Sequence, residues 1–482
     1  MSARVALGCV ALGYAVLQAV TGGLWVPLDL DEAVYASQFS GDTPRIPFAV
    51  HRSLGEGLLA APVTSWTSDV TVIRVYFAAL SAALLLLAFW PWTKVLDRAA
   101  APAAAALFAV PWVSLRFGAT VLPNMPVALG AVGAAGVLVV GGRRAWVPLL
   151  LIITGVGLLR PTDALWLALP LFAAAVVVPG WRWSAAGIAG GVAAGWGVWL
   201  VESFVRFGDP ITRLRAIQSV NGASGLRFVL PRYLATLDGR ESCPPTTVDC
   251  GTVGFATALW CAGGLALVGA GLWATRGEAR RALLVSAATA VVFGGAYVVL
   301  SDLAVPRYLL PVFALLSLPA GAGLTAILRA ARRRRAGQIL AAAVLATALV
   351  HTGLQVAEAD RASHRAKLAL SWPVQAADAL AARGVGGECA VLGGFAPQIA
   401  FLRRCHAPDM RDGFGARDAS AAITAANVER LRTRGLRVAL VTSRRPALPG
   451  PWQAVTVVGD GPRLYLSPSP ARPAPEHPVS RP

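Results

Sequence analysis

Two neighbouring acidic residues, Asp31 and Glu32, are the residues of this sequence best suited to chemical catalysis. They follow a long apolar stretch, within Pro27-Leu-Asp-Leu-Asp-Glu-Ala-Val-Tyr35. Carboxylates are costly to hold at a membrane boundary, so a pair placed there indicates a functional site by default. A carboxylate can accept a proton from a hydroxyl group, which makes Asp31 a candidate general base. The structural alternative is that both acids stabilise the first turn of a helix, which explains one acid well and two poorly.

The composition is that of a membrane protein. Of the 482 residues, 56% are hydrophobic and 14% charged, whereas soluble globular chains carry about 25% charged residues. The formal net charge of +18 does not indicate nucleic-acid binding, since the basic residues gather in short clusters between apolar runs. We therefore expect membrane lipid, and no nucleic acid, as a partner. The abundance of Ala, Gly and Arg is typical of a high-GC bacterial genome.

Apolar runs of sufficient length define the candidate membrane helices. A span needs about 20 apolar residues, with a range of about 17 to 25. About eleven spans are expected on this basis, over residues 4–24, 71–90, 100–114, 122–140, 145–160, 163–179, 184–202, 253–274, 282–300, 308–328 and 337–356. Three of these runs, 100–114, 145–160 and 163–179, are short enough to stop inside the protein. The predicted fold is an all-α polytopic bundle over residues 1–356.

Basic residues mark the cytoplasmic ends of membrane spans, and here they fall in alternate loops. The clusters are Lys94 with Arg98, Arg143-Arg144, Arg182, Arg276 with Arg280 and Arg281, and Arg329 with Arg332 to Arg335. This pattern places the amino terminus in the cytoplasm. It places the loops 25–70 and 203–252 outside, together with the segment after residue 356. We expect a multi-pass protein of the bacterial cytoplasmic membrane.

Four of the six cysteines lie in segments predicted to be outside. Cys243 and Cys250 share the loop 203–252, and Cys389 and Cys405 share the carboxyl-terminal segment. Paired cysteines outside the cytoplasm are typical of disulfides, with free thiols as the alternative. Zinc is disfavoured because His406 is the lone histidine beside these cysteines.

Residues 357–466 have the pattern of a small extracytoplasmic α/β domain. A polar helical stretch over 357–384 precedes four β-like runs, and further helical stretches are predicted near 396–404 and 419–434. The β-like runs are Cys389–Gly393, Arg437–Thr442, Trp452–Val458 and Arg463–Leu466. Strands that alternate with helices favour α/β layers. Pro and Ser dominate after residue 466, so 467–482 is expected to be a disordered tail.

Several short motifs together resemble the GT-C superfamily of integral-membrane glycosyltransferases. The matching stretches are the acidic pair, a following long loop with Thr43 and His51-Arg52-Ser53, Leu159-Arg-Pro-Thr-Asp163, and Pro306-Arg-Tyr-Leu-Leu-Pro311. Protein O-mannosyltransferases and the aminoarabinose transferases of lipid A belong to that superfamily. The resemblance covers most of the first 330 or so residues. It implies polyprenyl-phosphate-linked sugar donors, inversion at the transferred sugar and an outward-facing α/β domain.

The resemblance also implies roles for the two acids and for one arginine. Asp31 would be the base toward the acceptor hydroxyl, and Glu32 would orient the acceptor or tune Asp31. Arg307, beside Tyr308 at the outer end of a span, would hold the donor phosphate, because a guanidinium fork suits phosphate oxygens. The alternative for Arg307 is an interfacial anchor beside Tyr308.

His51, Arg52 and Arg160 are further candidates for the phosphate contact. Arg160 could equally pair with Asp163 in a structural turn. Many superfamily members carry a second acid in the outer loop between the third and fourth spans, where this chain has Asn124. Asn can hydrogen-bond an acceptor or a metal-bound water, but it supplies no charge. No metal ligands are predicted, and a divalent cation is compatible with the sequence without being required by it.

The predicted function is transfer of a sugar from polyprenyl phosphate to an external glycan, lipid or protein. A transporter or flippase of envelope glycans is the first alternative, although mid-span charges and repeat symmetry are lacking. A noncatalytic membrane scaffold whose tail binds a cell-wall partner is the second. Dispensability of Asp31 would favour the scaffold.

Overall fold

The computed structural model describes residues 2–221, 226–244, 250–301, 303–331, 335–408, 425–443, 451–459 and 461–468. Four sequence predictions fall partly outside the described residues: the loop 203–252 at residues 222–225 and 245–249, the tail from 469 onward, residues 419–424 of a helical stretch, and Arg332 to Arg334. The helices are α1 Ala3–Val20, α2 Leu30–Ser37, α3 Gly55–Thr64, α4 Val70–Phe89, α5 Ala100–Ala109, α6 Trp112–Gly118, α7 Asn124–Val140, α8 Trp146–Leu159, α9 Pro161–Val177, α10 Arg182–Phe207, α11 Pro210–Asn221, α12 Leu230–Thr236, α13 Phe255–Ala274, α14 Gly277–Leu300, α15 Leu310–Ala331, α16 Arg335–Ala369, α17 Ser371–Ala381, α18 Ala396–Arg403 and α19 Ala425–Thr433.

The chain packs as two compact units. The first, here the helical unit, contains Met1–Val26, Val50–Leu59 and Val70–Lys367. The second, here the sheet unit, contains Pro27–Ala49, Ala60–Asp69 and the described part of Leu368–Pro482. Helix α16 runs without interruption through the predicted division between residues 356 and 357.

Every predicted apolar run forms a helix, but not every helix is long enough to span a membrane. Within the described residues, seven candidates pass on length and composition: Ala3–Val20, Val70–Lys94, Pro179–Phe207, Phe255–Ala274, Gly277–Leu300, Pro306–Ala331 and Gly337–Ala369. An eighth is counted if α5 and α6, which meet at a 75° bend, are one broken span. Helices α7 and α9 have 17 residues each and α8 has 14. The expected count of eleven spans is therefore not confirmed.

The bend between α5 and α6 follows from the sequence at residue 111. Pro111 has no N–H to continue the α5 hydrogen-bond ladder, and it disfavours helical backbone at the residue before it. A residue of another helix supplies a hydrogen-bond acceptor for the amino terminus of α6, because Gln355 Oε1 accepts from the Trp112 backbone N–H at 2.8 Å. The Trp112 indole N–H donates to the Leu237 carbonyl at 2.9 Å. Broken helices are tolerated within a membrane where neighbours satisfy the freed backbone groups.

Glycine allows close helix packing in the helical unit. A Cβ added at Gly271 of α13 would collide with the Pro319 carbonyl oxygen of α15, and one at Gly323 of α15 would collide with the Leu267 carbonyl oxygen of α13. Small residues let membrane helices approach to van der Waals contact of their backbones. The α13–α15 pair is therefore fixed by backbone packing.

The sheet unit contains the predicted small sheet. Its strands are β1 Cys389–Gly393, β2 Arg437–Thr442, β3 Gln453–Val455 and β4 Arg463–Leu466, in the order β1-β2-β4-β3. The β1–β2 pair is parallel and the pairs β2–β4 and β3–β4 are antiparallel. Its core is formed by Ala390, Leu392, Val428, Leu431, Val438, Leu440 and Tyr465. The four predicted strands are confirmed, with β3 shorter than expected.

Both predicted disulfides are present. Cys243 bonds to Cys250, with Cα atoms 5.9 Å apart. Cys389 bonds to Cys405, with Cα atoms 4.8 Å apart. The second bond ties the start of β1 to the segment after α18, where the His406 N–H donates to the Cys389 carbonyl and the His406 carbonyl accepts from the Val391 N–H.

Candidate active site

A capping box at the start of α2 uses one acid of the predicted pair. The Asp29 side chain accepts from the Glu32 backbone N–H at 2.8 Å, and Glu32 Oε2 accepts from the Asp29 backbone N–H at 2.9 Å. This reciprocal arrangement satisfies two amide donors that the helix itself cannot pair. Glu32 is 1% exposed, so its carboxylate has a defined structural partner. Its predicted role toward the acceptor stays a prediction.

Asp31 lies in the same first turn, but the capping box does not use it. Its side chain is half-buried, in contrast to that of Glu32. The amino-terminal turn of a helix favours negative charge through its aligned peptide dipoles, and Asp31 lies in that turn. The capping box thus gives Glu32 a structural role, and the role of Asp31 as a base stays a prediction.

The loop after α2 is fixed to that helix. Gln38 Nε2 donates to the carbonyls of Val34 and Ile46, at 2.8 and 2.9 Å, and Ser37 Oγ accepts from the Ile46 N–H at 3.1 Å. At the other end of α2, the Leu30 N–H donates to the Gln398 side-chain amide at 3.2 Å, with that amide oriented to satisfy both of its partners. Helix α2 and its acids are therefore supported from both ends within the sheet unit.

In the helical unit, three of the predicted substrate-binding residues meet in one cluster. The guanidinium carbon of Arg160 lies 4.7 Å from the Tyr308 ring centroid, and that of Arg307 lies 5.7 Å from the same centroid. Two aromatic rings complete the cluster: Tyr297 stacks on Tyr308 at 5.2 Å, and Phe117 lies 5.6 Å from the Arg307 guanidinium. We call Arg160, Arg307, Tyr308, Tyr297 and Phe117 the arginine–tyrosine cluster.

Local backbone preferences bring these residues to the ends of helices. Arg160 is extended, as the residue before a proline prefers, and Pro161 opens α9. Arg307 and Tyr308 lie in the short 3-10 turn Pro306–Leu309 that precedes α15. The side chains therefore come from separate helix termini, where arginine and tyrosine are also favoured at a membrane boundary.

Asp163 holds Arg160 in place at the base of the cluster. Arg160 Nε lies 3.2 Å from Asp163 Oδ2, and the Tyr297 hydroxyl donates to Asp163 Oδ1 at 2.5 Å. The proposed structural pairing of Arg160 with Asp163 is therefore present. It coexists with the contact between Arg160 and Tyr308, so the pairing does not remove Arg160 from the cluster.

The charge distribution of the arginine–tyrosine cluster suits an anion. Two guanidinium groups approach one tyrosine ring, which stabilises each through cation–π contact but also concentrates positive charge. Arg160, Arg307 and Tyr308 are each partly exposed. Binding of a phosphate by these guanidinium groups, whose forks suit phosphate oxygens, stays a prediction.

The segment between α11 and α13 fixes the turn that carries Arg307. Cys243 and Ala304 exchange backbone hydrogen bonds at 2.8 and 3.3 Å, and the Tyr233 hydroxyl donates to the Leu303 carbonyl at 3.3 Å. Burial raises the pKa of Tyr233 well above its usual value, so the hydroxyl stays protonated and keeps this bond near neutral pH.

His51 and Arg52 lie in the turn before α3, whose first residue, Gly55, packs against the backbone of Leu158 and Leu159 next to Arg160. His51 is exposed and Arg52 is buried. Their turn is held by Arg213, which donates to the carbonyls of Val50 and Arg52. Sequence reasoning missed Arg213, because an arginine in a polar loop helix gives no signal of burial.

Asn124 opens α7 directly after Pro123 and is 4% exposed. Arg116 of α6 pairs with Glu241, which follows α12, with Nε 2.8 Å from Oε1. Tyr297 and Phe117 were also missed by sequence reasoning, since aromatic residues near span ends are common anchors. Throughout the described ranges, no group of three or more His, Cys, Asp or Glu side chains is arranged to hold a metal ion.

Solved structures of other proteins have a similar architecture, although sequence comparison finds no match. No protein-family model and no curated protein matches the sequence. The crystal structure of ArnT from Cupriavidus metallidurans bound to undecaprenyl phosphate is similar, with a TM-score of 0.59, 13% identity, and coverage of 96% of this chain and 97% of that one. An oligosaccharyltransferase from Archaeoglobus fulgidus, tethered with an acceptor peptide, has a TM-score of 0.50 and 15% identity, with coverage of 90% of this chain and 69% of that one.

These neighbours are GT-C glycosyltransferases. The chain therefore has the GT-C fold, as its motifs predicted. At such low identity the likeness defines the fold, and the activity has to be argued from the residues of this chain.

Proposed function

We propose that this protein is a membrane glycosyltransferase that moves a sugar from a polyprenyl-phosphate donor to an extracytoplasmic acceptor. The observation that carries the proposal is the arginine–tyrosine cluster, which presents Arg160 and Arg307 on one tyrosine ring in a chain with the GT-C fold. Binding of undecaprenyl phosphate by ArnT supports a polyprenyl phosphate as the lipid of the donor.

The guanidinium forks of Arg160 and Arg307 would hold the donor phosphate. As the bond between the anomeric carbon and the phosphate oxygen breaks, the leaving polyprenyl phosphate gains negative charge. Fixed cations that are already oriented stabilise this developing charge without reorganisation during the reaction. Tyr308 keeps both forks in place through its ring. His51 and Arg52 are proposed as further donor contacts, and Asn124 as a contact to the acceptor.

Asp31 is proposed as the general base. It would take the proton from the acceptor hydroxyl as the hydroxyl oxygen attacks the anomeric carbon, while the electron pair of the broken bond leaves with the phosphate. The transition state resembles an oxocarbenium ion, which a nearby carboxylate also stabilises. A single displacement of this kind inverts the anomeric configuration. Glu32, held by the capping box, would support the orientation of Asp31.

The membrane arrangement follows the basic loops. We propose a bacterial cytoplasmic membrane with the amino terminus in the cytoplasm and the sheet unit outside. The acceptor would be an external glycan, lipid or protein, a class that includes peptide acceptors such as the one tethered to the Archaeoglobus fulgidus enzyme.

The test is a transfer assay with purified protein, radiolabelled polyprenyl-phosphate sugars and cell-envelope acceptors. Asp31→Asn should lower the rate of transfer at least about 100-fold, because a positioned general base contributes about 10²- to 10⁴-fold. Asp378→Asn is the matched control, since it makes the same change at an exposed aspartate of the sheet unit. Equal rates for Asp31→Asn and wild type would remove Asp31 from the base role. The anomeric configuration of the product, assigned by NMR, is compared with that of the donor, and opposite configurations are expected for inversion.

A further inference from the structure

Arg213 is a buried arginine outside the arginine–tyrosine cluster, and its guanidinium makes several hydrogen bonds. It lies in α11, on the loop between α10 and α12, and is 0% exposed. Its Nε donates to the Val50 carbonyl at 3.0 Å, and its Nη2 donates to the Arg52 carbonyl at 2.7 Å. Two carbonyls on either side of His51 are thus bound by one guanidinium.

The remaining contacts of Arg213 fix it to the end of α10. Nη1 lies 3.1 Å from Glu202 Oε2 and donates to Ser203 Oγ at 3.1 Å. Two rings of the same helix enclose the guanidinium, Trp199 at 4.8 Å and Phe207 at 4.6 Å. The arginine therefore connects a membrane-spanning helix to the backbone of the turn 50–52.

Burial of this charge has an energetic consequence. Burial lowers the pKa of Arg213 and the Glu202 carboxylate opposes that shift, but an arginine stays charged near neutral pH. A buried charge costs several kcal/mol unless a partner and hydrogen bonds offset it. Here Glu202 and the backbone carbonyls supply that offset, so the turn 50–52 cannot move away without leaving a buried cation partly unsatisfied.

We propose that Arg213 is a positioning residue that holds the turn 50–52, so that His51 and Arg52 are presented to the donor in one arrangement. This role rests on the proposed function insofar as it concerns the donor. Arg213 binds backbone atoms of the turn, so it acts through that turn and does not contact the reacting atoms itself. A planar fork is needed to reach two carbonyls and a carboxylate together, and the single ammonium of a lysine cannot do so.

The experiment compares Arg213→Lys with Arg215→Lys, which makes the same change at an exposed position of the same helix. Hydrogen–deuterium exchange is followed in peptides that cover residues 46–56, and KM and kcat are measured for transfer. Arg213→Lys should raise exchange in these peptides and raise KM for the donor about tenfold with little change in kcat, as expected when a contact made equally in ground and transition states is weakened. Arg215→Lys should match the wild type.

A milder variant keeps the proposal testable if Arg213→Lys does not fold. Ser203→Ala removes one acceptor of Arg213 and leaves the two carbonyl bonds in place, so it should raise exchange in the same peptides by a smaller amount. Exchange in residues 46–56 that is unchanged in Arg213→Lys would overturn the positioning role, whether or not the protein transfers a sugar. Absence of transfer by the wild type would overturn the proposed function and leave the exchange result standing.

Discussion

Asp31 and Glu32 have the same charge and adjacent positions, yet their environments differ. Glu32 is buried in a reciprocal capping box with Asp29, whereas Asp31 is half-buried and outside that box. Helix geometry explains the difference, because only the third residue of the first turn points back toward the cap. A functional reading of the pair therefore has to treat the two acids separately.

The capping role of Glu32 leads to a stability prediction. Glu32→Ala should lower the free energy of unfolding by about 1 kcal/mol, the usual effect of losing a helix cap. Glu32→Gln should lower it less, since glutamine keeps an oxygen that can accept from the Asp29 N–H. Thermal unfolding of the purified variants measures both effects. Equal destabilisation by the two substitutions would contradict the capping explanation and indicate that the charge itself is needed.

Arg160 illustrates that a structural contact and a binding role are compatible. Its Nε bonds to Asp163, while its guanidinium also lies against Tyr308. A guanidinium has five N–H donors, so an ion pair through one edge orients the group. Pairing with Asp163 thereby fixes the orientation of the Arg160 guanidinium and leaves other N–H donors for a ligand.

The helices of the helical unit pack through glycine at selected positions, and this can be tested in α13. Gly271→Ala should destabilise the protein by about 1–3 kcal/mol, because the added methyl group would overlap the Pro319 carbonyl oxygen and overpacking has this magnitude. Gly269→Ala is the matched control in the same helix, where a Cβ would meet no atom within 4 Å. The control should be neutral or slightly stabilising, since alanine is the better helix former.

Thermal unfolding monitored by intrinsic tryptophan fluorescence is suitable for both α13 variants. A Gly271→Ala protein as stable as Gly269→Ala would show that α13 and α15 are not held at the backbone contact described above. The comparison separates helix propensity from helix packing, because both substitutions change propensity in the same way.

The broken pair α5 and α6 has a consequence for the position of Arg116 and Phe117. Helix α5 has ten residues, or about 15 Å at 1.5 Å per residue, so it ends about halfway through a bilayer of about 30 Å. The chain then turns by 75° and carries Arg116 and Phe117 on α6. Phe117 reaches the arginine–tyrosine cluster because the span is broken.

The two units do not follow the order of the chain. Residues 27–49 and 60–69 belong to the sheet unit, together with the segment after residue 367. The acid pair is thus part of the unit that contains the carboxyl-terminal sheet, whereas the arginine–tyrosine cluster belongs to the helical unit.

The proposed membrane orientation can be tested by cysteine labelling. In a background with Cys9 and Cys261 replaced by alanine, Ala357→Cys should react with an impermeant thiol reagent in intact cells, and Ala99→Cys should react only after lysis. Both positions are exposed, so the difference reports the side of the membrane. The expectation follows from the basic loops, which mark the cytoplasmic side. Labelling of Ala99→Cys in intact cells would contradict the proposed orientation.

Much of the architecture could be predicted from local sequence patterns. The four β-like runs became four strands because short apolar runs bounded by turn residues favour strands, and β1 and β2 are buried along most of their length. The disulfides followed from cysteine pairs in segments predicted to be outside. The span count could not be obtained in this way, since hydropathy measures apolarity and does not register a bend such as that at Pro111.

Arg160, Arg307 and Tyr308 were identifiable from their motifs, but Tyr297 and Arg213 were not. Tyr297 lies 134 residues from its hydrogen-bond partner Asp163, and Arg213 lies 163 residues from Val50. Contacts at such separation depend on how helices pack, which no local pattern encodes.

By itself the sequence determined the membrane character, the helices, the strands, the disulfides and the GT-C resemblance, because each depends on residue types within a short window. Only the tertiary structure decided that Arg160 and Arg307 share the ring of Tyr308 and that Arg213 binds the turn 50–52. These features require groups from distant segments to satisfy one another's charge and hydrogen bonds, and that pairing is settled only when the helices are packed.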